Sequence, residues 1–161
     1  MKQNRFGQAS VLSPQHLDNL IDALPAGPHR VLATILRFTA ARVSEARMLR
    51  WAAISDTHIL FTAATTKTKT SREVPMAPQL LDVLKRWKVE TKPSPSDFIV
   101  AGGVVGRPMS RQAFDKQLRA TCEQLGLSGV STHSFRRSCL TAANDKGISL
   151  RHLQSISGHT S

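Results

Sequence analysis

The sequence predicts an α+β domain that is mainly α-helical and carries one small antiparallel β-hairpin. Three observations predict it. Apolar residues recur at helical spacing through most of the chain. The period changes once to that of a strand, around Ile59-Leu60-Phe61. Helix start and stop residues punctuate the rest, from Ser13-Pro14 to Gly126 and Gly147. With 161 residues, 40% hydrophobic and 20% charged, the chain is long enough for one domain with its own core and too apolar for intrinsic disorder.

Residues 1–12 read as an N-terminal arm, frayed over the first ten, and 13–161 as the domain. Ser13 is a preferred N-cap and Pro14 suits the first helical position. Leu12 and Leu17 sit at the spacing of a hydrophobic staple. Leu17, Leu20, Ile21 and Leu24 continue the helix until Pro25-Ala26-Gly27-Pro28 stops it. A second helix is expected over 29–40, apolar at Val31, Leu32, Ile35, Leu36 and Phe38. Ser44 is expected to cap a third, short helix reaching Leu49 and Trp51. Residues 59–61 form a strand with 72–75 as partner, and the polar run 65–71 is the hairpin tip. A helix resumes near Ala77 with Leu80, Leu81, Leu84 and Trp87 on one face. Residues 91–109 form a Pro/Gly-rich connection around the strand-like Phe98-Ile99-Val100. Ser110 caps the next helix, with Phe114, Leu118 and Leu125 buried and Gly126 ending it. Two helices follow, 133–145 and 149–156, stopped by Gly147 and Gly158.

Composition narrows the function. Twenty-two Lys+Arg against eleven Asp+Glu give a net charge of +11, so an anionic partner is expected, with nucleic acid foremost. Arginines outnumber lysines 14 to 8, which favours planar, bidentate phosphate recognition. The cations are spread evenly, so an anion site must be assembled by folding. No apolar stretch nears the roughly 18 residues of a membrane span. No basic amphipathic helix suggests a membrane surface. Cys122 and Cys139 are too few for a disulfide scaffold and lack zinc-site spacing; a reducing, cytoplasmic setting is expected.

Four segments carry candidate chemistry: Thr39-Ala40-Ala41-Arg42-Val43-Ser44-Glu45, the lysine-bearing hairpin from Lys67 to Arg72, Thr132-His133-Ser134-Phe135-Arg136-Arg137, and Ser157-Gly158-His159. Taken together they resemble the catalytic domain of the tyrosine recombinase (phage integrase) family, across nearly the whole chain. Arg42 with Val43-Ser44-Glu45 is similar to that family's first arginine box. His133-Ser134-Phe135-Arg136 is similar to its His-x-x-Arg box, and Gly158-His159 to its glycine–histidine. Lys67 stands eight residues before Pro75, as the family's hairpin lysine does. Ala40 replaces the glycine usual before the arginine box, and Ser157 the usual leucine.

The resemblance implies an integrase-like fold, with Arg42, Lys67, His133, Arg136 and His159 as the catalytic set. It implies strand breakage and rejoining of double-stranded DNA through a phosphotyrosine, with no cofactor and no metal. The residue chemistry fits on its own terms. Two guanidiniums stay charged and offer rigid donor forks to the non-bridging oxygens of a phosphate. Imidazoles donate hydrogen bonds or move protons near neutrality. A hairpin lysine, Lys67 or Lys69, can protonate a leaving 5′-oxygen. Glu45 would orient Arg42 or hold the helix junction. The plainer readings are a surface ion pair for Arg42 and Glu45, a solvated charge for the lysine, a polar helix-start residue for His133 and a terminal one for His159. Arg137 and Arg151 are phosphate-backbone contacts or solvated charge.

The chain contains no tyrosine, and the family's nucleophile lies about nine residues beyond its glycine–histidine. The expectation is a domain lacking its C-terminal tyrosine segment, with the family's N-terminal core-binding domain absent as well. A truncated fragment, a remnant and a tyrosine donated by another protomer all fit. The family works as a tetramer on DNA; the isolated chain is expected to be monomeric. Type IB topoisomerases share the chemistry. The alternative from another class is a non-catalytic basic DNA-binding domain.

Overall fold

A computed structural model of the chain describes residues 9–67 and 69–149. Six helices and one hairpin follow in the order α1 (Pro14–Ala23), α2 (Pro28–Thr39), α3 (Val43–Ala46), β1 (His58–Phe61), β2 (Arg72–Pro75), α4 (Pro78–Thr91), α5 (Arg111–Leu125) and α6 (Thr132–Asp145), with a 3-10 turn at Trp51–Ala53. The mainly helical α+β reading holds. Local signals set several boundaries. The Ser13 hydroxyl accepts the His16 N–H at 3.2 Å, and the Ser110 hydroxyl accepts that of Ala113 at 3.1 Å, each satisfying a donor the first helical turn leaves open. Gly126 ends α5 at φ +69°, a left-handed conformation that costs glycine little.

α2 is the central helix. It packs against α1, α3, α4 and α6, and buries Val31, Leu32, Ala33, Thr34, Ile35, Leu36 and Thr39. A helix covered on so many sides must satisfy its own polar side chains. Thr34 and Thr39 do so by donating to the carbonyls four residues back, both at 2.7 Å. The core gathers around this helix, with Phe61, Phe114 and Phe135 the largest fully buried side chains.

The hairpin forms from the two expected strands, with Ile59 paired to Val74 and Phe61 to Arg72. Its loop has an internal hub that sequence reading missed. Thr66, 1% exposed, donates from its hydroxyl to the Thr70 carbonyl at 2.8 Å and accepts the Thr70 N–H at 3.1 Å.

Four expectations change. Arg42, not Ser44, caps α3, because the carboxylate of Glu45 takes the Arg42 backbone N–H at 3.0 Å; the helix stops at Ala46. Phe98 to Val100 makes no ladder among the described residues, only one isolated bridge, Phe98 with Arg50. Leu125 is 41% exposed, since the last turn of α5 runs past the core. Residues 9–12, read as the end of a loose arm, are seated on the body. Ser10 donates its N–H to the Gly129 carbonyl at 2.8 Å, and the buried Leu12 N–H reaches the Ser138 hydroxyl of α6 at 2.8 Å. Beyond Ser149, the helix expected over 149–156 and the Gly158-His159 pair lie outside the described residues.

Candidate active site

The site starts where α2 ends. Ala40 closes that helix in the left-handed region, at φ +56° and ψ +19°, and is fully buried. An alanine pays a steric cost of about 1–2 kcal/mol there. The turn redirects the chain so that Arg42 begins α3 beside the carboxyl end of α2. Arg136, one turn into α6, crosses to the same place and donates to the Ala40 carbonyl at 2.8 Å. A cation suits the negative end of a helix. The sequence neighbours Thr39 to Arg42 and the distant His133 to Arg136 segment are thereby joined.

Glu45 is the acidic group of this cluster among the described residues, with a side chain 1% exposed. Its two oxygens accept a fork from Arg72, at 2.9 and 3.0 Å, and the Arg72 guanidinium also lies 4.6 Å over the Phe61 ring. Burial pushes the Glu45 carboxyl up. The Arg72 hydrogen bond, the Arg42 N–H and the charges of both arginines outweigh it and hold the carboxyl below its ordinary range. Glu45 therefore serves Arg42 through its backbone, while its charge is matched by Arg72.

Positive charge remains in excess. Arg136 is 6% exposed, and its pKa is pushed down to about 10, first by burial and then by Arg42, with Glu45 acting the other way and Arg72 adding to the decrease. At neutral pH it is still a cation, held against its desolvation. One terminal nitrogen of Arg42 and one of Arg136 are buried with no hydrogen-bond partner among the described residues. An unmet buried donor costs about 1–3 kcal/mol, more when charged. Two such donors on neighbouring guanidiniums suit a ligand that is anionic and rich in acceptor oxygens.

The other expected residues are placed less centrally. His133 is exposed in the first turn of α6, three residues before Arg136. It lines a cleft of about 600 Å³ with Arg111, Asp115 and Arg119 of α5, a cleft that neither Arg42 nor Arg136 lines. Lys67 is exposed in the hairpin loop, next to the Thr66 hub; Lys69 is also exposed, at φ +58°. His159 lies outside the described residues. Arg137 points elsewhere, donating to the Ala9 carbonyl.

Sequence reading missed Arg72. A signal was present: β2 pairs Arg72 with the buried Phe61, so the strand's alternation turns this arginine inward, where a charge needs a partner. Glu45 is that partner, 27 residues away.

The sequence matches the phage integrase family over residues 10–161. It is 30% identical over 162 residues to the tyrosine recombinase XerD of Corynebacterium glutamicum, across 93% of this chain and 53% of that protein. It is 29% identical to the XerD of Lacticaseibacillus casei, across 87% of this chain and 52% of that protein. The chain spans about half the length of these curated relatives. The fold is similar to that of the XerA recombinase, at TM-score 0.80 and 19% identity over 96% of this chain and 58% of that one. It is also similar to the catalytic domain of bacteriophage HP1 integrase, at TM-score 0.70 and 22% identity over 96% of this chain and 83% of that one. A lambda integrase tetramer bound to a Holliday junction matches at TM-score 0.76 and 20% identity over 98% of this chain and 49% of that one. The chain belongs to the phage integrase family, and its fold is similar to that of the catalytic domain of bacteriophage HP1 integrase.

Proposed function

We propose that Arg42 and Arg136 hold one phosphate of double-stranded DNA, the phosphate at which a strand is broken and rejoined. The observation that carries this is the pair of buried guanidinium nitrogens with no partner among the described residues, one on Arg42 at the start of α3 and one on Arg136 of α6, whose charges act on each other. Such donors stabilise the charge that builds on non-bridging oxygens during phosphoryl transfer. His133 and His159 supply further hydrogen bonds or move a proton. Lys67, with Lys69 the alternative, protonates the leaving 5′-oxygen from the hairpin loop. The nucleophile is a tyrosine, which these 161 residues do not contain. DNA and further protomers are the partners, a reading supported by the DNA-bound lambda integrase tetramer. The protein acts in the cytoplasm, where such DNA is reached.

Two measurements test this. The 161-residue chain binds duplex DNA with an affinity that falls steeply with salt, and forms no covalent adduct on a nicked suicide substrate; a trapped adduct would overturn the proposal. When a tyrosine-bearing C-terminal segment is supplied, Arg42→Ala or Arg136→Ala lowers cleavage by about a hundredfold or more, while most duplex binding survives. Cleavage at the unmutated rate in both variants would overturn the assignment of Arg42 and Arg136; no cleavage at all, with salt-sensitive duplex binding indifferent to either substitution, would leave the non-catalytic basic DNA-binding domain.

A further inference from the structure

We infer that Arg72 is a positioning residue of this site, tying the hairpin that carries Lys67 to the backbone of Arg42. The inference rests on the reading of Arg42 and Arg136 as phosphate holders.

The carboxylate of Glu45 is shared. Both of its oxygens take the Arg72 fork, and one of them also takes the Arg42 N–H at 3.0 Å. Arg72 occupies a particular place in the topology. It pairs with Phe61 across the ladder, so the loop of residues 62–71 leaves and returns at this pair, and the guanidinium covers the Phe61 ring as well. Both roots of the loop are thus fastened to Glu45. From Glu45 the connection runs to the Arg42 backbone, and two residues earlier the Ala40 carbonyl receives Arg136. The hairpin and the two phosphate-holding arginines form one contiguous network. Arginine is needed because its planar fork serves both carboxylate oxygens at once; a lysine ammonium cannot.

The test compares Arg72→Lys and Arg72→Gln with the unmodified 161-residue chain, at a temperature where circular dichroism shows all three folded. The probe is a short synthetic duplex at fixed salt. Affinity should weaken roughly threefold to tenfold in both variants. The Arg42 backbone amide should lose hydrogen-exchange protection in both, lysine giving no rescue. Folded variants with unchanged affinity and an equally protected Arg42 amide would overturn the inference. Should neither variant fold, native-state exchange of the unmodified chain decides. The Arg42 amide and the β1–β2 ladder amides should open in one step, and separate openings would refute the coupling. An unmodified chain that binds no duplex would sink the phosphate reading instead, and the exchange data would still decide on Arg72.

Discussion

Ala40 shows how a single residue sets the site. Its left-handed backbone places Arg42, and its carbonyl anchors Arg136. Replacing it by glycine should change stability little: relief of about 1–2 kcal/mol of strain is offset by about 0.8 kcal/mol of lost methyl burial and by about 0.4–1 kcal/mol of added unfolded-chain freedom. Ala40→Val should instead destabilise by on the order of 3 kcal/mol, because a branched side chain is strained there and the position is fully buried. Urea unfolding of the two variants checks both outcomes. The sequence showed Ala40 only as a departure from a usual glycine; the reason glycine fits is a backbone angle, which no residue type states directly. Arg42 and Arg136 were legible as residues because their motifs are short and contiguous. Arg72 was not, since its significance depends on an acid 27 positions earlier.

At the scale of elements, the legible boundaries were those decided within one helical turn. Ser13, Ser110 and Gly126 act on their own neighbours: α1 begins, and α5 begins and ends, where these residues predict. The start of α3 escaped because Ser44 has the stronger capping preference, while the actual cap is built by Glu45 reaching back to Arg42. The exposure of Leu125 escaped because periodicity gives a helix face but not where the core beneath it stops. The docking of residues 9–12 is likewise a long-range fact: Leu12 meets Ser138, 126 positions away. Ser138→Ala should leave a buried N–H unmet and cost about 1–3 kcal/mol. Faster amide exchange or proteolytic cutting near residues 9–12 would register the loosened segment. An unchanged pattern would mean that this hydrogen bond does not hold it.

For the molecule as a whole, charge is the governing quantity. In the proposed function a net charge of +11 would draw the chain to DNA, and the buried cluster would fix where one phosphate is gripped. Its single carboxylate gives the fold a pH signature. The Glu45 carboxyl is held below its ordinary value of about 4.5. A depressed acid contributes stability that is fully present above the unfolded value and is lost as pH falls through the folded one. Thermal stability should therefore drop as pH goes below about 4.5, and drop less steeply in Glu45→Gln. Parallel curves for the two proteins would contradict this.

The central claim is that Arg42 and Arg136 converge on one anion, and it can be observed directly. Tungstate is a tetrahedral dianion that imitates phosphate and scatters anomalously. Crystals of the chain soaked in it should show one tungsten peak within hydrogen-bond reach of both guanidiniums, and none there in Arg136→Ala. A peak bound by neither arginine, with the two guanidiniums facing apart, would contradict the account.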